Sequence, residues 1–318
     1  MVYVYLIIGF LILIKGGSLF VDGAASLARN LRVSLLVIGL TVVAFGTSAP
    51  EAVVSIIAAS NNHSDIAFGN VIGSNLINIS LIIGIAAFIA PIKVNKQAIV
   101  KEIPLALVGA IVLLIMISDV SLFNRTSNSI SRVDGLILFG IFLVFLIYII
   151  NIGVKNKDSI NEEESVIKMM TLKKSIILTI LGLSLIIFGG ELVLRNSIVI
   201  AENLGMSETL VGLTIVAMGT SLPELVTAIT AAIKKQSEIA FGNVIGSNIF
   251  NTFFVVGISG IISPIQVEVS LIPDLIFMIL LSLFLLVFAI TQFKTITSKE
   301  GMSLIAIYLI YLTFLIFR

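Results

Sequence analysis

Apolar residues dominate the chain in long runs, and the polar positions between them fall at intervals that suit helices crossing a bilayer. Ten spans are predicted, near residues 2–28, 35–60, 66–90, 103–118, 134–153, 174–200, 208–233, 239–262, 271–290 and 301–317. Two of these runs are interrupted. In GLTVVAFGTSAPE (39–51) the apolar text is broken by Gly46-Thr47-Ser48-Ala49-Pro50 and closes on Glu51; in GLTIVAMGTSLPE (212–224) the same text returns and closes on Glu224. Proline has no N–H to give to the preceding turn and clashes with it, and glycine weakens that turn further. Each run is therefore predicted as a helix broken in mid-membrane, where carbonyls, hydroxyls and one carboxylate meet.

The same pattern repeats on a larger scale. A shift of 173 residues lays Gly16-Gly17 on Gly189-Gly190, Gly39 on Gly212 and Glu51 on Glu224, and it runs without a gap to Pro91-Ile92 on Pro264-Ile265. The octapeptide FGNVIGSN stands at both 68–75 and 241–248. Each half holds five spans, an odd number, so the second half enters the membrane inverted. The expected fold is an all-α polytopic membrane protein with ten transmembrane helices in two inverted five-helix repeats, the second and seventh helices being broken. The halves are residues 1–153 and 174–318. The linker between them (154–173) carries Lys155, Lys157, Asp158, Glu162, Glu163, Glu164 and Lys168, and reads as a solvated cytoplasmic loop too short for a domain.

Composition narrows the function. Of 318 residues, 58% are hydrophobic and 12% charged, and the net charge of +1 gives no hint of nucleic acid. The absence of cysteine excludes disulfides, thiolate metal sites and thiol nucleophiles. MVYVYLIIGF at the start lacks a basic segment and a small-residue cleavage site, so it reads as a first transmembrane helix rather than a removable signal. Among the 19 basic residues, Lys15 falls within the first span and Arg125, Arg132, Arg195 and Arg318 lie on one side. The others lie on the opposite side, which predicts a cell-membrane protein with both termini outside.

Candidate chemistry sits at the two breaks. An acidic side chain in the bilayer costs at least ~2.5 kcal/mol, so Glu51 and Glu224 need a reason to be there. Around them are the hydroxyls of Thr47, Ser48, Thr220 and Ser221 and carbonyls freed near Ala44, Thr47, Ala217 and Thr220. In the third and eighth spans, Ser74 with Asn78 and Ser247 with Asn251 are four apart and share a helix face. Asn70, Asn75, Asn243 and Asn248 are placed to brace the breaks. Gly69 and Gly73, like Gly242 and Gly246, give small-residue surfaces on which a broken helix can pack. Oxygen ligands without sulfur or imidazole suit calcium. His63, the one histidine, falls in a polar loop and reads as solvated.

GTSAPE and GTSLPE, each followed by GNVIGSN, resemble the two alpha-repeats of the sodium/calcium exchanger family within the cation/calcium antiporter superfamily. The resemblance covers 16–91 and 189–264. It implies a secondary antiporter, not an enzyme, with a diamond of four ion sites, no cofactor, calcium and sodium as transported ions, and a monomer as the working unit in the lipid bilayer. Carried over by position, Glu51 and Glu224, with the Thr47 and Thr220 carbonyls, resemble the calcium site. Sodium positions correspond to Ala44, Thr47, Ser48, Glu51, Ser74, Asn78, Ala217, Thr220, Ser221, Glu224, Ser247 and Asn251. Some prokaryotic members and the potassium-dependent members carry an acid where this chain has Asn251, whereas asparagine resembles the potassium-independent animal exchangers. The resemblance also implies that the first and sixth helices slide over a rigid core. Three other readings stay open: a proton/calcium exchanger of the same superfamily, a carrier of another divalent cation such as manganese or magnesium, and an intramembrane hydrolase built on the carboxylate pair.

Overall fold

The structure is a computed structural model that describes residues 1–118, 128–155, 170–204, 217–291 and 295–317. It is helical nearly throughout. In chain order the elements are α1 (Val2–Leu31), α2 (Leu35–Thr47), α3 (Ala49–Ser60), α4 (Ile66–Ile89), β1 (Ile92–Lys93), α5 (Ala98–Met116), β2 (Asn128–Ile130) and α6 (Arg132–Lys155). After the linker come α7 (Leu172–Asn203), α8 (Ala217–Thr220), α9 (Leu222–Ile233), α10 (Ser237–Ile262), β3 (Ile265–Val267), α11 (Val269–Thr291), β4 (Thr295–Ile296) and α12 (Ser298–Phe317). Eight helices among the described residues are long and apolar enough to cross a membrane, and α2 with α3, bent by 49°, form one further broken span. The protein is a multi-pass membrane protein. Of the seventh predicted span, α8 and α9 are described; its first part (208–216) and most of the linker (156–169) lie outside the described residues.

Local chemistry sets the breaks where the sequence puts them. Pro50 and Pro223 each fall in the first turn of the second half-helix, where a missing N–H costs least. The broken spans then turn back by the same device. Asn62 and Lys235 adopt left-handed backbone (φ 60° and 59°), and His63 N–H donates to Ala58 O as Gln236 N–H donates to Ala231 O, both at 2.8 Å. This is the left-handed helix stop with its six-to-one hydrogen bond, here built without glycine. It delivers the chain directly into α4 and α10.

Those two helices form the centre. Within their apolar windows 72% and 78% of residues are buried, against 28–39% for the other single spans. Each is interrupted by a π-helical stretch, Asn78–Ile82 in α4 and Phe250–Val255 in α10. Gly242 and Gly246 let α2 lie directly on α10: a Cβ at Gly246 would stand 2.7 Å from Ala44 Cβ and 2.8 Å from Leu40 Cα. The segment that would face Gly69 and Gly73 in the same way lies outside the described residues. The ends of the bundle are tied by two antiparallel ribbons, β1 with β4 and β2 with β3. Through these ties α12 packs on the end of α4, and α6 on the end of α10, so each half closes over the other.

Helices α1 and α7 pair antiparallel, with glycines at intervals of seven. Cβ atoms at Gly9, Gly16 and Gly23 would stand 3.1, 2.9 and 2.6 Å from the backbone nitrogens of Val193, Ile186 and Thr179. A Cβ at Gly182 would run into Phe20 N, so the two backbones touch. At the edges of this pair Asp22 is paired with Lys234 at 2.7 Å and Glu191 with Arg195, while Lys15 is exposed on the outer face of α1. Gly182→Val must push α1 and α7 apart and is expected to destabilise the protein by about 3 kcal/mol. Thermal unfolding in detergent checks this, with Ile180→Ala on the exposed side of the same helix expected to match the parent.

Candidate ion site

The half-helices meet end to end at their breaks. On the side of the helix that keeps its ladder, Ser48 N–H donates to Ala44 O at 3.0 Å and Ala52 N–H to Ser48 O at 3.1 Å. Pro50 has no N–H for Gly46 O, and the Thr47 carbonyl accepts no hydrogen bond among the described residues. The negative end of the α2 dipole and a bare carbonyl thus lie at the break. Glu51 and Glu224 follow in the first turns of α3 and α9, each with no exposure to solvent.

The two carboxylates are bridged crosswise. Ser48 Oγ–H donates to Glu224 Oε1 at 2.7 Å, and Ser221 Oγ–H donates to Glu51 Oε1 at 3.3 Å. Ser247 Oγ stands 3.5 Å from both Ala44 O and Glu224 Oε1, which brings three of the predicted residues to one point. Every hydrogen-bond donor here is a neutral hydroxyl. No cluster of three or more His, Asp or Glu residues suited to a metal occurs among the described residues. Any cation held at this place would be held by two carboxylates and neutral oxygens.

Behind the breaks, asparagines hold the backbone. Asn70 Nδ2 donates to Glu51 O at 3.3 Å, and its repeat partner Asn243 donates to Glu224 O at 3.2 Å. Asn243 Oδ1 also accepts from Thr47 Oγ1 at 2.9 Å, which locks the hydroxyl of Thr47 and leaves its carbonyl as the group on offer. Asn75 and Asn248, expected to do the same bracing, instead join α4 to α10. Asn78 Nδ2 donates to Asn248 Oδ1 at 2.9 Å and Asn251 Nδ2 to Asn75 Oδ1 at 3.4 Å. Thr252, which the sequence reading passed over, accepts from Asn75 Nδ2 at 3.0 Å. Its position in the repeat is occupied by Ile79 in the first half, so no symmetric pattern marks it.

Several buried oxygens have no hydrogen-bond partner among the described residues: Glu51 Oε2, Glu224 Oε2, Asn78 Oδ1, Asn251 Oδ1 and Ser74 Oγ. An unpaired buried polar atom costs about 1–3 kcal/mol, and here such atoms belong to matched residues of the two repeats. They are hard, acceptor-bearing oxygens of the kind that bind calcium or sodium in place of water. Thr220 and Ser221 are buried at the second break. The α8 helix starts at Ala217, whose side chain lies outside the described residues. On α2 and α10, Phe45 stacks on Phe250 at 4.9 Å and Phe250 on Phe254 at 4.6 Å, an aromatic cluster that also meets Phe142 of α6.

Comparison with known proteins gives the same picture. The family described as "Sodium/calcium exchanger protein" matches residues 1–151 and 174–317. The sodium/calcium exchanger MaX1 of Methanosarcina acetivorans is 33% identical over 350 aligned residues, covering 99% of this chain and 98% of that protein. Inner membrane protein YrbG of Escherichia coli is 35% identical over 269 residues, covering 83% and 80%. A solved structure of the sodium-calcium exchanger NCX_Mj, soaked with sodium and calcium, superposes with a TM-score of 0.83 at 32% identity, covering 98% of this chain and 97% of that one. The chain belongs to the sodium/calcium exchanger family, as a multi-pass membrane transporter and not an enzyme.

Proposed function

We propose that this antiporter exchanges sodium for calcium by alternating access, in ten spans arranged as two inverted halves with both termini outside. The observation that carries the reading is the crosswise pair of buried carboxylates, Glu51 and Glu224, each bonded by a serine of the other break and each with one bare oxygen. Calcium would sit between the two glutamates with the Thr47 and Thr220 carbonyls. Sodium ions would occupy flanking positions that use Ala44, Ser48, Ser74 and Asn78 and, from the other half, Ala217, Ser221, Ser247 and Asn251. The antiparallel pairing of α1 with its repeat partner α7 and the matched ribbons at the two ends support the inverted arrangement.

Exchange follows from charge. Two carboxylates buried together without a cation are costly, and either cation load offsets them, so an empty carrier does not pass through its occluded form. Because both loads require the same carboxylates, one excludes the other. In this reading the α1–α7 pair is the element that slides, since its glycine seam joins the two helices to each other.

Calcium-45 uptake into proteoliposomes tests the assignment. Sodium-loaded vesicles are expected to take up calcium; uptake driven by a proton gradient alone would make the protein a proton/calcium exchanger. Glu51→Gln and Glu224→Gln are each expected to abolish uptake while leaving a folded protein, because half of the charge opposing a divalent ion is gone. Parent flux is expected to ignore potassium, whereas Asn251→Asp adds a third acid to a dry site and is expected to make flux depend on pH or potassium. For orientation, single cysteines at exposed Asn61 and Lys96, at opposite ends of α4, are expected to label from outside and inside respectively. An impermeant maleimide on intact cells that reached Lys96→Cys but not Asn61→Cys would invert the topology.

A further inference from the structure

An asparagine can meet a cation with its oxygen or repel it with its amine, and burial alone does not choose between them. In this chain the choice is made by a relay of amides between α4 and α10. The relay begins at the Asn75 backbone carbonyl, which can only accept. Asn248 must therefore turn its Nδ2 to it, and does so at 3.2 Å. That leaves Asn248 Oδ1 to accept from Asn78 Nδ2 at 2.9 Å, so Asn78 Oδ1 is the end left bare. On the other arm, Asn75 Nδ2 is held by Thr252 Oγ1 at 3.0 Å, and Asn75 Oδ1 then takes Asn251 Nδ2 at 3.4 Å, leaving Asn251 Oδ1 bare. All five side chains are at most 2% exposed, so water does not substitute for a lost partner.

We propose that Asn75, Asn248 and Thr252 are positioning residues that fix the site amides of Asn78 and Asn251 with their oxygens, rather than their amines, toward the transported cation. None of the three is itself an ion ligand in the proposed site. The inference rests on the sodium/calcium reading of that site and adds to it the groups that set its affinity. The π-helical turns beginning at Asn78 and at Phe250 shift these amides out of the ordinary helical register, where each reaches the facing helix.

The test measures the calcium concentration giving half-maximal sodium-driven uptake in proteoliposomes, and the maximal rate. Thr252→Val keeps shape but removes the acceptor, and is expected to raise the half-saturating concentration about tenfold with the maximal rate retained. Thr252→Ser restores the acceptor and is expected to return the parent value. Combined with Asn251→Ala, Thr252→Val is expected to add nothing further, because its whole effect runs through the Asn251 amide. Asn248→Leu with Asn78→Ala gives the same cycle on the other arm, and Thr252→Ala serves if the valine variant is not recovered in the membrane. Additive losses in both cycles, or a parent-like Thr252→Val, would overturn the relay while leaving exchange intact. A parent without sodium-driven uptake would instead remove the exchange reading, and the relay with it.

Discussion

Glu51 and Glu224 stand at the ends of two broken helices, wholly buried, and each receives its hydroxyl hydrogen bond from the break in the opposite half. Each glutamate therefore depends on the other half's serine for its place. Displacing one break relative to the other would strip both carboxylates of a hydrogen bond in a medium where nothing replaces it. The asparagines extend this dependence outward: Asn70 and Asn243 pin the glutamate carbonyls to α4 and α10, and the amide relay pins those two helices together. Polar ties thus join the centre in addition to its apolar packing.

The same constraint explains why the breaks are made by proline after glycine. A carboxylate in the first turn of a helix lies at its positive end, which favours the anion, while the carbonyls at the end of the preceding half-helix favour a cation. Placing both within one broken span puts the acid and the opposing carbonyls side by side. An unbroken helix would tie every one of those carbonyls to an N–H four residues on and offer a cation only the carboxylate. The weakened helix is thus the source of neutral ligands, and its cost is offset by the asparagine braces behind it.

Much of this was legible in the sequence because it is written in residue types. Proline, glycine and a mid-span acid mark a break; a repeated octapeptide marks matched helices; and serine and asparagine four apart mark a shared face. The glycine seam was legible only in part. The repeat marks Gly16-Gly17 and Gly189-Gly190, yet Gly17 faces Val226 and Thr230 rather than α7, and Gly9, Gly23 and Gly182, which face the partner helix, stand outside those two pairs. Spacing of seven is visible in the sequence, but which partner a glycine meets is a tertiary fact. The π-helical turns were not legible at all, since a one-residue shift in hydrogen bonding leaves no trace in apolar periodicity. The α5 span begins at Ala98, ahead of its expected start, through another such stretch (Ala98–Glu102) that carries polar Lys101 and buried Glu102 into the helix.

Near-identity of the two repeats hides an asymmetry that the geometry exposes. Glu224 has hydroxyls from Ser48 and Ser247 around one oxygen, the nearer at 2.7 Å, whereas among the described residues Glu51 has the hydroxyl of Ser221 at 3.3 Å. Ser247 lies against Ala44 O, while Ser74, its repeat partner, has no hydrogen-bond partner among the described residues. The aromatic cluster of Phe45, Phe250 and Phe254 has Met218, Ile77 and Leu81 at the matched positions, so the repeat does not reproduce it. A strictly two-fold site would hold its two flanks in equal surroundings and bind the same ion equally at each. Unequal hydrogen bonding breaks that equivalence around the two carboxylates. The repeat supplies the pair of glutamates, and the positions that depart from it give each a different set of neighbours.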